Sequence, residues 1–150
     1  MRRLHDALLA IVSVMNRPQR DEMLIREAGI PLDRALFPLL VGIERLGPIG
    51  VVDLADRAGR DHTTVSRQVA KLESLGLVAR RESAADRRVR EAVATDKGKA
   101  TVALVDAARE RLGRAVFESW DTEEFDTLVR LMGKLADALA GEPFPPAPAP

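Results

Sequence analysis

Apolar residues recur every three or four positions along most of the chain, a spacing typical of amphipathic helices. The pattern predicts helices within 1–15, 19–28, 34–46, 51–58 and 62–75, and two longer ones over about 96–119 and 122–140. For the last helix we expect an N-terminal cap at Asp121 or Thr122, with Glu123 or Glu124 nearby to complete it.

Capping and helix-breaking residues mark the expected ends of these helices. Gly29 and Gly76 should end the second and the fifth, because glycine readily takes the left-handed conformation that closes a helix. Asp33 and Asp61 can cap the third and the fifth. Pro38 lies inside the third apolar stripe, where we expect it to remove one backbone donor and bend the first turns.

Two short runs differ from this helical pattern. LVARRES (77–83) and RRVREAVAT (87–95) favour β-structure, and Ala84-Ala85-Asp86 between them predicts a hairpin. The fold class is therefore mainly α with a small β-hairpin. The Pro-rich end, GEPFPPAPAP (141–150), cannot be helical and predicts a disordered or polyproline-like tail.

The stretch ADRAGRDHTTV has the spacing of a helix-turn-helix. Ala55 suits a close approach of two helices, Gly59 suits the turn, and Val65 can anchor the second helix in the core. Any compact helical hairpin needs similar residues, so the pattern by itself does not establish DNA binding.

The second helix of this unit has two contrasting faces. Val65, Val69 and Leu72 form the stripe expected to be buried. The opposite face carries Thr63, Thr64, Ser66, Arg67, Ala70 and Lys71. The hydroxyls and the lysine suit phosphate contacts, whereas arginine can read a guanine edge in the major groove. An ordinary solvated face is the alternative, and His62 is either a DNA contact or an exposed neighbour of the cap.

The predicted hairpin follows this helix directly, which makes the unit a winged helix. Arg87 and Arg88 lie at its tip, and arginine is attracted to the negative potential of a narrow minor groove. Asp86 would repel a phosphate, so we interpret it as an acceptor that orients an arginine guanidinium. The alternative is a polar turn with an incidental Asp–Arg pair.

Charge and composition sharpen this picture. The chain has 23 basic and 23 acidic residues, yet the segment 57–90 carries a net charge of +5 and the remainder −5. This asymmetry indicates a basic module on an acidic scaffold. Cysteine is absent, which excludes disulfides, thiolate metal sites and thiol chemistry and fits a cytoplasmic location. We predict no cofactor and no metal, since His5 and His62 lack ligand-spaced partners.

Both ends of the predicted helical region are unusually apolar. Residues 4–15 are too apolar for a lone surface helix, and Asn16-Arg17-Pro18 after them does not resemble a signal-peptide cleavage site. The run is also too short to span a bilayer. Residues 117–139 hold further aromatic and aliphatic side chains, so we predict that the chain dimerises to cover these surfaces.

The sequence from about Leu32 to Gly98 resembles the MarR/SlyA family of winged-helix transcription regulators. LESLGLVARR, the Asp86-Arg87-Arg88 wing and Thr95-Asp96-Lys97-Gly98 carry the resemblance. It implies a homodimer that reads a palindromic operator on double-stranded DNA, most often as a repressor. It also implies that Arg88 inserts in the minor groove, that Asp86 orients it, and that Arg87 is a secondary contact.

The resemblance and the two-faced helix together define the predicted site. The DNA-contacting residues are Arg60, His62, Thr63, Thr64, Ser66, Arg67, Gln68, Lys71, Asp86, Arg87 and Arg88. Many relatives release DNA on binding a small, often aromatic or phenolic, effector. The candidate residues lining a pocket for such an effector are Leu8, Met15, Leu36, Phe37 and Leu40. The alternative for each of them is packing in the core.

The predicted organisation is a single MarR-like domain over 1–140, with a winged helix at about 32–95 and dimerisation helices at about 2–29 and 96–140. The competing function is a winged helix that binds an acidic protein rather than specific DNA. An enzyme is disfavoured, because the chain has no nucleophile–base spacing, no glycine-rich phosphate loop and no metal cluster.

Overall fold

A computed structural model describes residues 1–141, over which the chain forms seven helices and three short strands. The helices are α1 (Arg2–Met15), α2 (Pro18–Ala28), α3 (Phe37–Leu46), α4 (Val51–Ala58), α5 (His62–Ser74), α6 (Asp96–Val116) and α7 (Thr122–Gly141). The strands are β1 (Ile49–Gly50), β2 (Val78–Glu82) and β3 (Arg90–Ala94). The predicted mainly helical class is confirmed. Gly141 was predicted to begin the non-helical Pro-rich tail but is the last residue of α7. The rest of that tail lies outside the described residues.

The strands form one antiparallel sheet in the order β1-β3-β2. In the predicted hairpin, Val78 pairs with Ala94 and Glu82 with Arg90. The second strand was predicted to start at Arg87 but starts at Arg90, so the loop spans the seven residues 83–89. Strand β1 was not predicted, because two residues carry no alternating pattern.

The chain divides into two compact units, Met1–Glu110 and a second one that begins at Arg111. The core of the first unit is aliphatic and combines α3, α5 and α6. Its largest fully buried side chains are Leu39, Leu40, Ile43, Val65, Val69, Leu72, Val102 and Val105. This core holds the helix-turn-helix and supports the sheet.

Helix α6 is also attached to α3 by polar contacts in the first unit. Asp106 Oδ1 lies 2.8 Å from Arg45 Nη2 and 2.8 Å from Arg109 Nη1. The Arg109 guanidinium in turn lies 5.9 Å from the centre of the Phe37 ring, within range of a cation–π contact. These groups are partly exposed, so each pair adds little stability.

Two expectations about α3 are wrong. Pro38 lies in the first turn of α3, where no backbone donor is needed for an intrahelical bond, and the helix continues to Leu46. Asp33 accepts from the backbone N–H of Ala35 at 2.6 Å and so stabilises a turn that precedes the helix. Leu36 occupies the N-cap position of α3 without a side-chain cap bond.

The helix ends predicted at Gly29, Asp61 and Gly76 are confirmed. Gly29 and Gly76 have positive φ angles of 64° and 71°, as expected for residues that close a helix. Asp61 occupies the N-cap position of α5, where its Oδ1 accepts from the backbone N–H of Thr64 at 2.8 Å. Each of these three residues lies within four residues of the helix end that it determines.

The second unit contains the end of α6 and all of α7. Helix α6 ends at Val116, three residues earlier than predicted. The Phe117 ring makes edge contacts with Trp120 and Phe125 at centroid distances of 5.3 and 5.0 Å. Asp121 and Glu124 accept from each other's backbone N–H, which resolves the predicted cap in favour of Asp121.

Helices α1 and α7 expose much apolar surface. No residue of either helix is buried. Large exposed side chains include Leu4, Ile11, Val12 and Met15 on α1, and Val129, Leu131, Met132 and Leu139 on α7. None of the helices within residues 1–141 combines the length and hydropathy needed to cross a membrane.

Candidate nucleic-acid interface

The turn between α4 and α5 has the geometry that the sequence pattern indicated. Ala55 is completely buried, and Gly59 has a φ of 61°, which glycine adopts without strain. Val65 is completely buried at the start of α5. The two helices therefore form a helix-turn-helix in which α5 is the second, outward-facing helix.

The N-terminus of α5 is fixed by its cap. Hydrogen bonds from the hydroxyl and the backbone N–H of Thr64 lower the pKa of the Asp61 carboxyl below its ordinary value. An ionised aspartate at this position also interacts favourably with the positive end of the helix dipole. The cap sets where α5 begins and so which residues face outward.

The two faces of α5 divide as predicted. Val65, Val69 and Leu72 have no exposed surface. On the opposite side Thr63, Arg67, Ala70 and Lys71 are exposed, while Thr64 and Ser66 are half-buried. The side chains of Arg67 and Lys71 make no hydrogen bond or ion pair within the described residues, so both are available to a ligand.

Arg60 and Gln68 have contacts that sequence reasoning did not anticipate. Arg60 Nη1 donates to the backbone oxygen of Ala35 at 3.0 Å and to Gln68 Oε1 at 3.2 Å. The arginine thus bridges the turn before α3 and the middle of α5. Its guanidinium is engaged within the protein rather than directed only at solvent.

His62 also has a partner within the protein. Its Nε2 lies 3.2 Å from Asp56 Oδ1, which joins the first residue of α5 to α4. Both side chains remain mostly exposed. The pair spans the outer side of the helix-turn-helix turn.

The hairpin loop is closed by its own hydrogen bonds. Asp86 Oδ1 accepts from the backbone N–H of Arg88 at 2.9 Å, and the Asp86 carbonyl accepts from Val89 at 2.9 Å. The prediction that the Asp86 carboxylate holds an arginine guanidinium is not what the geometry shows, because its contact is with the backbone. The Arg87 and Arg88 side chains are exposed.

The middle of strand β2 is attached to α5 through Arg80, which sequence reasoning missed. Arg80 Nη2 donates to the backbone oxygen of Ser66 at 3.4 Å, and Arg80 Nε lies 3.4 Å from Glu73 Oε2. Strand alternation offered a signal, because Arg80 is two residues from the buried Val78 and shares its face. The hairpin and α5 are therefore joined side by side.

The candidate effector residues divide between the core and the surface. Leu36, Phe37 and Leu40 are buried core residues, whereas Met15 is 57% exposed on α1 and Leu8 is half-buried there. A different, largely polar cleft of about 510 Å³ lies beside α5. Its lining is Asn16, Pro18, Asp21, Asp33, Arg34, Ala35, Arg60, Thr64 and Gln68.

Comparison with known proteins identifies this combination of helix-turn-helix and hairpin. A family model described as MarR family matches residues 32–89. A Bacillus subtilis (strain 168) protein, described as the uncharacterized HTH-type transcriptional regulator YxaD, is 31% identical over 106 residues. The match covers 69% of this chain and 74% of that protein. The chain belongs to the MarR family.

Solved structures agree on the fold of this MarR-family chain. A MarR family protein from Bacillus stearothermophilus gives a TM-score of 0.75 at 24% identity, covering 93% of this chain and 94% of that one. The structure of MarR gives a TM-score of 0.70 at 24% identity, covering 90% of this chain and 98% of that one. The transcriptional regulator SlyA gives a TM-score of 0.65 at 20% identity, covering 88% of this chain and 93% of that one. At these identities the likeness concerns the fold.

Membership in the MarR family confirms the predicted class. The protein is a transcription regulator of the winged-helix, DNA-binding type, and this family is not a class of enzymes. The predicted contacts of individual residues with DNA stay predictions.

Proposed function

We propose that this MarR-family protein is a homodimeric repressor that binds a palindromic operator in double-stranded DNA. The main support for the proposal is that two exposed polar surfaces lie in the same compact unit. The outer face of α5 and the arginine-bearing loop 83–89 are exposed and lie on elements joined through Arg80. Both belong to the segment with a net charge of +5.

Helix α5 is proposed to enter the major groove. Arg67 and Lys71 are exposed and make no side-chain hydrogen bond or ion pair within residues 1–141, so DNA would not have to displace a polar partner. Arg67 would read a base edge, whereas Lys71 and the hydroxyls of Thr63 and Ser66 would contact phosphates. The Thr64 hydroxyl already bonds to the Asp61 carboxylate, so Thr64 would act through the cap of α5.

The hairpin loop is proposed to contact the minor groove. Arg88 would insert there, because a narrow minor groove has an enhanced negative potential. Asp86 would support it through the loop backbone, and Arg87 would contact the DNA backbone. Hydrogen bonds within the loop support a defined direction for the exposed arginines.

Three predicted contacts are proposed to act mainly through the protein. Arg60 and Gln68 bond to each other, and Arg60 also bonds to the turn before α3. His62 pairs with Asp56 on α4. These contacts would hold the first half of α5 in place at the DNA surface, with any direct phosphate contact secondary.

Dimerisation is proposed to use α1, α2, α6 and α7, with the winged helix spanning about residues 32–95. The apolar surfaces of α1 and α7 support this, because they are too extensive to be left in water. A two-fold dimer presents two copies of α5, which explains why a palindromic site is expected.

We also propose release by a small aromatic or phenolic effector. The cleft of about 510 Å³ has room for a small ligand, and Thr64 and Gln68 of α5 form part of its wall. A ligand there would contact the helix that we expect to read DNA. We further propose a cytoplasmic location, because the matched relative is bacterial and bacterial DNA lies in that compartment.

Selection of genomic DNA fragments tests the proposal directly. Fragments of the source genome retained by the protein should share a palindromic sequence, and binding should weaken steeply as salt rises. Equal binding to every fragment, or none, would contradict specific DNA recognition. A salt-sensitive complex with an acidic protein would then favour the interaction-module alternative.

A further inference from the structure

The motif Thr95-Asp96-Lys97-Gly98 has no part in the proposed DNA contacts, although it helped to indicate the family. It forms the first turn of α6, with Thr95 as the residue just before the helix. This turn lies against the C-terminal end of α5, the helix proposed to enter the major groove.

Helix α5 ends without help from α6. The backbone N–H of Gly76 donates to Glu73 at 2.9 Å, and that of Leu77 donates to Leu72 at 3.0 Å. With the left-handed Gly76, this is the Schellman arrangement, in which a buried residue beyond the glycine packs on the last turn. These bonds leave the carbonyls of Leu75 and Gly76 for other donors.

Two side chains of the motif occupy those carbonyls. Lys97 Nζ donates to the Leu75 oxygen at 2.8 Å, and Thr95 Oγ1 donates to the Gly76 oxygen at 2.7 Å. A lysine ammonium is also favoured at the negative, C-terminal end of a helix dipole. The Thr95 hydroxyl accepts from the Gly98 N–H at 3.1 Å, so it caps α6 as it contacts the end of α5.

Gly98 permits this close contact. A Cβ at position 98 would collide with the backbone oxygen of Leu77, which places the first turn of α6 directly on the chain that leaves α5. The backbone N–H of Thr95 donates to that same oxygen at 3.1 Å. The first turn of α6 and the end of α5 therefore form one joint.

We propose that Thr95 and Lys97 are positioning residues for DNA recognition, which hold the C-terminal end of α5 at a set orientation relative to α6. The inference rests on the proposed role of α5 in the major groove. Because α5 is already terminated by its own hydrogen bonds, the two donors are not needed to end it. What they add is attachment, and a helix that reads base edges needs its supporting contacts held within narrow limits.

The test compares matched variants on the operator recovered from the genome and on a scrambled duplex of equal length. Thr95→Val and Lys97→Met remove the two donors while keeping similar size. Thr95→Ser keeps the hydroxyl, and Lys99→Met removes a nearby exposed charge that makes no side-chain hydrogen bond or ion pair within the described residues. Fluorescence anisotropy is measured over a salt series, well below each variant's melting temperature.

We expect Thr95→Val and Lys97→Met each to weaken operator binding by about fivefold, the equivalent of one ordinary hydrogen bond. Binding to scrambled DNA and the slope of affinity against salt should stay unchanged, since no phosphate contact is lost. Thr95→Ser and Lys99→Met should behave like the wild type. In Thr95→Val, the Gly98 amide should exchange its hydrogen faster.

Three outcomes would overturn the inference. An equal loss on both duplexes, with a salt slope smaller by about 0.9, would make Lys97 a phosphate contact. Unchanged operator affinity with a lower melting temperature would make the joint purely stabilising. Unchanged exchange at Gly98 in Thr95→Val would show that the Thr95 hydroxyl is not held between the Gly98 N–H and the Gly76 oxygen. Failure of the wild type to prefer the operator would instead overturn the proposed function, and the inference with it.

Discussion

Asp86 and Arg88 are joined through the backbone, since the Asp86 Oδ1 atom accepts from the N–H of Arg88 at 2.9 Å. The arginine side chain is left exposed. This relationship changes what the aspartate does at the hairpin tip. The aspartate fixes the backbone of the loop at Arg88, and it does not occupy the exposed guanidinium.

The Asp86 contact predicts a difference between two substitutions. Asp86→Asn keeps an oxygen that can accept from the Arg88 N–H and removes a charge that repels phosphate, so operator affinity should equal or exceed that of the wild type. Asp86→Ala loses the acceptor and should bind about fivefold more weakly. Anisotropy titrations distinguish the two. Equal losses in both variants would restore a carboxylate–guanidinium role.

Removal of the Arg88 side chain should weaken DNA binding without unfolding the protein. Arg88→Ala is expected to cost about 1–3 kcal/mol of operator binding free energy. Arg90→Ala, which removes an exposed charge from the first residue of β3, is the matched control and should cost less. Unchanged affinity in Arg88→Ala, measured by the same titration, would contradict the minor-groove assignment.

Arg60→Met should lower stability more than it alters the salt dependence of binding. The change leaves the Ala35 carbonyl and Gln68 Oε1 without their donor, which should lower the free energy of unfolding by about 1–2 kcal/mol. Urea unfolding measures this, with Arg57→Met on α4 as a control that loses only an exposed charge. If Arg60→Met kept full stability and its log affinity for DNA fell less steeply with log salt concentration, by about 0.9 in slope, Arg60 would be a phosphate contact instead.

The Asp61 cap should be lost in acid. Hydrogen bonds from Thr64 hold the pKa of this carboxyl below its usual value of 3.8, so its stabilisation is present above that value. It should disappear as the pH falls through the lower pKa of the folded state. Asp61→Asn cannot ionise and lacks this dependence. The urea midpoints of the two proteins should therefore differ by a constant amount above about pH 4 and by a changing amount below it.

A charge in the apolar stripe of α7 should disrupt the proposed dimer. Val129 is 55% exposed, and Val129→Glu would place a carboxylate in the surface that we expect a second copy to cover. Lys134→Glu, on the polar face of the same helix, is the control. Light scattering at micromolar concentration should find a monomer only for the first variant. A wild-type monomer would contradict dimerisation.

Local features of the sequence were sufficient for most helices. The Asp61 cap, the left-handed Gly76 and the stripe of Val65, Val69 and Leu72 depend on neighbours a few residues away. Helix periodicity and capping are local effects, so single-sequence reasoning can find them. It failed at Pro38, because the effect of a proline depends on where the helix begins, and the Asp33 turn delays that start to Phe37.

The sequence by itself therefore determined the order of helices, the hairpin, the two faces of α5 and the family. Only the tertiary structure decided how these parts are attached to each other. Arg60 meets an oxygen 25 residues away, Arg80 one 14 residues away and Lys97 one 22 residues away. Such contacts leave no periodic trace, because a long polar side chain finds its acceptor only after the apolar core has brought distant backbone segments together.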